Sequence, residues 1–293
     1  MPLSALALVI AAALLHALWN VAAKKAGGSH HFVLMSAVLV MLVWGPVGFW
    51  VAVGELGRWG WREWALVSAS GFAHLLYFNV LLKGYRVSDL SVVYPVARGT
   101  GPLLSAAASL LVLGETMGLG GALGVAAVCG GIWLIAGGPA LWRNAHDPAQ
   151  RARVQAGLLW GAMTGVLIAT YTVIDGCAVK LLLVSPILVD YFGNLVRIPF
   201  MLPKCWRDRA AWPAAWRNQW RHALVVATLG PMAYVLVLYA ARLAPLSHVA
   251  PAREVSMLFA ALLGGRLLGE ADQGLRLLGA AGMAVGVALL ALG

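Results

Sequence analysis

Residues 82–99 read LKGYRVSDLSVVYPVARG, and residues 238–254 read LYAARLAPLSHVAPARE. Arg86 aligns with Arg242, Ser91 with Ser247 and Pro95 with Pro251, all at an offset of 156. After a one-residue gap, Arg98 aligns with Arg253 and Leu113-Gly114-Glu115 with Leu268-Gly269-Glu270, at 155. A weaker echo joins ALWNV (17–21) to ATYTV (169–173). Between these landmarks the chain is apolar from end to end. Of its 293 residues 61% are hydrophobic and 11% charged, and the mean hydropathy is +0.84. Soluble domains sit nearer 45–50% apolar and about 25% charged. A membrane-spanning helix needs about 20 apolar residues, and ten such runs are readable: 3–23, 32–53, 64–82, 91–113, 118–137, 156–175, 184–203, 223–241, 247–268 and 274–292. The expected fold is all-α and integral to the membrane, with one five-helix repeat over 1–137, a connecting loop over 138–155 and a second repeat over 156–293. An odd number of spans per repeat turns the second copy upside down. The expectation is therefore two inverted repeats around a central cavity, an arrangement recurrent in secondary transporters.

The charges point the same way. The net charge is +10, which in a soluble protein would suggest nucleic acid. Here the basic residues lie in short loops, so the lipid bilayer is the expected partner and nucleic acid is not. The connections after spans 1, 3, 5 and 7 hold twelve: Lys24, Lys25, Lys83, Arg86, Arg143, Arg151, Arg153, Lys204, Arg207, Arg209, Arg217 and Arg221. Those after spans 2, 4, 6 and 8 hold four: Arg58, Arg62, Lys180 and Arg242. The positive-inside rule makes the first set cytoplasmic and both termini non-cytoplasmic, in an inner membrane. The longer connection from Lys204 to His222 carries Trp212, Trp216 and Trp220 at four-residue spacing, the pattern of a short helix in the membrane interface. No polar stretch is long enough for a soluble catalytic domain. The three cysteines, Cys129, Cys177 and Cys205, show no metal-ligand spacing, and His30-His31 is the one adjacent pair among seven scattered histidines. No metal or cofactor is expected. The apolar run from Met1 continues to Ala23 and reads as a first span rather than a cleaved signal. Ten spans suffice to enclose a site in a monomer, and a homo-oligomer is compatible with the same sequence.

Several residues at span depth carry chemistry. Pro95 and Pro251 each lack an N–H, so the carbonyls of Ser91 and Ser247 lose their helical partners. Paired breaks in both halves either gate a midplane site or form packing kinks. Arg98 and Arg253 follow them. A mid-membrane arginine costs about 2.5–3.5 kcal/mol on insertion scales, so each is expected to face a substrate carboxylate or an internal acid such as Glu254 or Asp190, unless it snorkels from a shallower position. Asp190, Asn194 and Arg197 make one polar stripe on span 7. His16 and Asn20 flank Trp19 on span 1, His74 and Tyr77 share a face of span 3, and Thr164, Tyr171 and Asp175 share one of span 6. Tyr94 and Arg98 share a face of span 4, continued by Ser105 and Ser109. A lone polar residue at this depth is read first as an interhelical hydrogen bond. Convergence from several helices favours a polar cavity for a small molecule, with Trp19, Asn20, His74, Tyr77, Tyr94, Arg98, Tyr171, Arg253 and Glu254 as candidate binding residues and Trp19, Tyr77, Tyr94 and Tyr171 as its walls. His16, Asp175, Asp190 and Asn194 are candidates for ion coupling or a polar path. Gly-rich stretches at 118–124 and 279–286 are read as close helix packing, and Glu115 and Glu270 as structural acids at the start of spans 5 and 10, with proton coupling the alternative.

Ten spans in two inverted halves, the LWNVAAKK run at 18–25 and a Gly-Glu pair at each span 4/5 and 9/10 corner together resemble the drug/metabolite transporter superfamily, EamA type. The resemblance covers nearly the whole chain and is most similar to amino-acid exporters of the YddG kind. It implies a secondary transporter of small metabolites working by alternating access, most simply an amino-acid exporter. Sugar-phosphate or nucleotide-sugar carriage and drug efflux are the alternatives on the same fold. An intramembrane enzyme needs a nucleophile–base set or a metal motif, and no HExxH or GxSxG is present, so no catalytic residue is assigned.

Overall fold

The computed structural model describes residues 1–27, 29–135, 138, 147–259 and 273–293. These residues form ten α-helices: α1 (Leu3–Lys25), α2 (His30–Glu55), α3 (Trp61–Val87), α4 (Leu90–Val112), α5 (Leu119–Ile135), α6 (Pro148–Lys180), α7 (Pro186–Arg207), α8 (Trp212–Leu243), α9 (Leu246–Ala252) and α10 (Gln273–Leu292). Five stretches, 3–25, 30–58, 61–87, 148–180 and 209–243, are by themselves long and apolar enough to cross a membrane. Glu270 and its Leu-Gly neighbours lie outside the described residues.

Local chemistry sets the helix ends. Ser29 Oγ accepts from Phe32 N at 3.1 Å and caps α2. Asp147 accepts from Gln150 N at 2.7 Å, and Pro148 occupies the first turn of α6. This cap and proline correct the expected loop over 138–155: helix begins at Pro148, and its first, exposed turns run ahead of the apolar segment. The separate interfacial helix is likewise corrected. The α7 helix reaches Arg207, a 3₁₀ turn follows at Arg209–Ala211, and Trp212 with Pro213 opens α8, which continues without interruption to Leu243. Trp216 and Trp220 are exposed on its first turns, while Trp212 packs edge-on against His31.

Packing follows the repeat. The α1 helix packs on α8 and α3 on α6; α2 packs on α8 and α3 on α7; α2 meets α7, and α5 meets α10. Exchanging each helix for its counterpart five places along maps the first two pairs onto each other, the next two onto each other, and the last two onto themselves. That is a two-fold relation between two repeats. Glycine permits the tightest of these contacts. A Cβ on Gly131 would meet Gly279 O of α10 at 2.5 Å, and one on Gly161 would meet Val93 O of α4 at 2.9 Å. Close approach of this kind is how helices associate where no hydrophobic force drives them together. The α6 stripe Gly157, Gly161 and Gly165, all set against α4, was readable in the sequence as four-residue spacing and adds to the two Gly-rich stretches already noted.

The α2–α3, α4–α5, α6–α7 and α8–α9 corners share one face with the termini, and their ties confirm it. Met1 N donates to Ala291 O at 2.8 Å. Glu55 accepts from Ser185 N at 3.0 Å. Arg242 donates to the Leu183 and Val184 carbonyls, each at 2.7 Å. Glu115 accepts from Leu246 N at 2.6 Å, Ser247 N at 2.8 Å and Lys180 Nζ at 2.8 Å. The repeat-1 corner thereby caps the N-terminus of the repeat-2 helix α9, where backbone donors have no helical partner.

Candidate substrate site

The two proline-bearing helices differ in detail. Pro95 lies inside continuous α4, whereas Pro251 is the penultimate residue of α9, which gives way to a buried 3₁₀ turn at Arg253–Val255. Proline removes an α-helical donor, and the tighter turn that follows places Arg253 and Glu254 side by side. Glu254 is 0% exposed. Its Oε2 lies 2.9 Å from Arg98 Nε and its Oε1 3.4 Å from Arg253 Nε. Arg98 also donates through Nη2 to Ser256 Oγ at 3.2 Å, and Arg253 through Nη2 to Thr172 Oγ1 at 3.3 Å. The Arg98 guanidinium lies over Tyr94, 5.8 Å from its ring centre. Of the two partners open to the arginines from sequence, the internal one is therefore present, and it is Glu254 rather than Asp190. Two guanidiniums around one carboxylate leave a net positive charge of one on a cluster drawn from both repeats. The Arg98–Glu254 contact is close without hydrogen-bond alignment, so the carboxylate is neutralised by charge more than by directed bonds.

An aromatic wall adjoins it. Tyr171, next to Thr172, stacks on His74 with ring centres 3.8 Å apart, meets Tyr77 edge-on at 5.7 Å and lies 6.5 Å from Tyr234. His74 Nδ1 is 2.9 Å from Ser70 O. A carbonyl only accepts, so Nδ1 carries the proton and Nε2 presents a lone pair. Tyr234 donates its hydroxyl to Asp175 Oδ2, and the Ser70 side chain also interacts with this fully buried acid, whose Oδ1 makes no aligned hydrogen bond among the described residues. Asp190 accepts from Asn194 Nδ2 at 3.0 Å, and Arg197 donates to Gly193 O at 2.9 Å. Arg197 interacts electrostatically with both Asp190 and Asp175, so the stripe on α7 joins the acid of α6.

On α1, His16 meets Trp19 edge-on at 4.8 Å and lies in the field of both Arg98 and Arg253. Trp19 Nε1 is a buried donor without a partner among the described residues. Asn20 returns its amide to His16 O at 2.7 Å. Ser105, Ser109 and Thr164 likewise bond carbonyls three or four residues back on their own helices. The interhelical reading of these three is thus corrected: a short hydroxyl reaches its own preceding turn more readily than a neighbouring helix. Tyr234, Thr172 and Ser256 were missed from the sequence. Tyr234 carries a usable signal, since it falls 157 residues after Tyr77, one off the repeat offset; Thr172 and Ser256 carry none.

The EamA-like transporter family matches residues 3–137 and again 155–292. The chain belongs to the EamA-like transporter family. Two copies of one family unit fill it, as the helix pairing requires. No curated protein matches significantly. Twenty-seven chains of solved structures do. One crystal structure superposes with a TM-score of 0.74 over 100% of this chain and 98% of its own at 17% identity, a likeness that speaks to fold alone. This EamA protein is a multi-pass membrane transporter of small molecules, of the drug/metabolite transporter type.

Proposed function

We propose that the protein exports amino acids bearing apolar or aromatic side chains by alternating access. The observation that carries this reading is the buried Arg98–Glu254–Arg253 cluster, which keeps one positive charge beside an aromatic wall that includes Tyr234, the hydrogen-bond partner of Asp175. A zwitterion presents a carboxylate and an ammonium at fixed separation, and guanidinium and carboxylate are their charge-assisted partners. Tyr77, Tyr94 and Tyr171 offer rings to an apolar side chain without strict shape demands. One net positive charge suits a single carboxylate better than the multiple charges of a sugar phosphate or nucleotide sugar. Export is the direction that the resemblance to amino-acid exporters supplies. A monomer is the working unit of this proposal, since the cluster draws on both repeats of one chain.

Counterflow in oriented proteoliposomes tests it, against a panel of amino acids, sugar phosphates and nucleotide sugars. Exchange of aromatic and branched amino acids, faster from the cytoplasmic side, is expected. Exchange of the phosphorylated sugars alone overturns the substrate class. The excess of basic residues at the α1–α2, α3–α4, α5–α6 and α7–α8 corners supports an inner-membrane orientation with both termini outside. A reporter at Gly293 that works only outside the cytoplasm agrees with this, and one that works only inside reverses it.

A further inference from the structure

His30 and His31 open α2, and Cys205 and Asp208 close α7; the two corners come from different repeats and meet on the face opposite the termini. One ligand atom from each of His30, His31 and Cys205 lies within 4.8 Å of the others. The Asp208 carboxylate lies beside the two imidazoles, with Oδ2 3.3 Å from His30 Nε2 and 4.0 Å from His31 Nδ1. His31 is 2% exposed and Cys205 is 6% exposed. We propose that these four side chains form a zinc-type transition-metal site that staples the first repeat to the second.

Three observations beyond proximity support it. His31 Nε2 is 2.9 Å from Asp208 O, and because a carbonyl only accepts, Nε2 is the N–H and Nδ1 holds a lone pair turned toward a carboxylate. A ring whose other nitrogen donates to a backbone carbonyl is the usual setting of a metal-bound histidine. His30 Nε2 is buried and pairs with the same carboxylate at 3.3 Å without hydrogen-bond alignment. His31 Nδ1, His30 Nε2 and the Asp208 carboxylate thus face one point, where a bound cation would satisfy all three. Cys205, whose thiol now donates to His30 O at 3.5 Å, supplies the fourth ligand as a thiolate. One thiolate, one carboxylate and two neutral imidazoles balance a divalent ion and match zinc's preference for tetrahedral N, S and O donors. Ligands at about 2.0–2.3 Å from zinc lie roughly 3.5 Å from one another, so the donors of His30, His31 and Cys205, already within 4.8 Å of each other, need side-chain shifts of about 1 Å, and Asp208 turns in from the histidine side.

The test uses full-length protein carrying a tag without histidines, stripped by chelator and titrated with Co²⁺. One equivalent per chain is expected, with a sulfur-to-cobalt charge-transfer band that Zn²⁺ abolishes by displacement. The band should vanish in Cys205→Ser and persist when Cys129 and Cys177 are both replaced by Ala. If Cys205→Ser does not fold, Asp208→Asn serves instead and should shift the cobalt spectrum and weaken binding at least tenfold. Zn²⁺ should also raise the unfolding temperature of the wild type and leave that of the variants unchanged. Absence of saturable binding at micromolar Co²⁺ overturns the proposal, and so does an undiminished sulfur band in Cys205→Ser.

Discussion

Glu254 has no solvent contact and sits between two guanidiniums, so its charge matters more than its shape. Replacing it by Gln leaves two buried cations facing each other. Replacing Arg98 by Gln leaves the Arg253–Glu254 pair and a neutral cluster. Stranding buried charge costs about 3–5 kcal/mol. Thermal unfolding in detergent should therefore show Glu254→Gln as the most destabilised and Arg98→Gln as distinctly milder; the reverse order would mean that Glu254 is protonated or otherwise partnered. Arg98, Arg253 and Glu254 could be read from the sequence because a charge at span depth is rare and must have a reason. Thr172 and Ser256 could not, since a hydroxyl on an apolar helix has a partner available in its own preceding turn, as Ser105 and Thr164 do. The His30–Cys205 cluster was invisible for another reason: no local spacing encodes a contact between residues 175 apart.

The corner between α4 and α5 illustrates how one acid fixes a helix. Glu115 has an 8% exposed side chain, and it joins the Leu246 and Ser247 amides to Lys180. Burial alone raises its carboxyl, but the bonds from Lys180, Ser247 and Leu246 outweigh this and hold the group below the usual carboxylate range. A depressed acid contributes stability in full above its unfolded value and loses it as pH falls through its folded value. The stability difference between wild type and Glu115→Gln should thus be about 2 kcal/mol at neutral pH. It should stay flat down to roughly pH 5 and shrink below about pH 4. A difference that grows toward low pH would assign Glu115 the opposite role. The structural reading of this residue was available from its place at a helix start. Its true target was not, because the capped helix is α9 of the other repeat rather than the adjacent α5. The extension of α6 to Pro148 and the continuity of α8 were likewise missed, since hydropathy marks where a helix enters lipid and not where it begins.

The exchange of helix pairs by five places expresses in three dimensions the same relation that residues 82–99 and 238–254 show in sequence. That repeat, the even spread of apolar runs and the Gly-rich segments made the architecture legible before any coordinates. The candidate site was half legible: both repeats' arginines and the tyrosines of α3, α4 and α6 were named, whereas Tyr234 of α8 and the sharing of Glu254 by both arginines needed the packed structure. What the assembled molecule presents is a buried cluster with one unneutralised positive charge, built across the repeat boundary and proposed to receive a substrate carboxylate. The most direct test compares Arg98→Gln with wild type in proteoliposomes, using an aromatic amino acid and the corresponding amine that lacks the carboxylate. Loss of one charge-assisted hydrogen bond, about 1.5–3 kcal/mol, should weaken apparent affinity for the amino acid by roughly ten- to a hundred-fold, with the amine unchanged. Equal weakening for both, at normal membrane abundance, would contradict carboxylate recognition and leave the cluster as an internal ion pair.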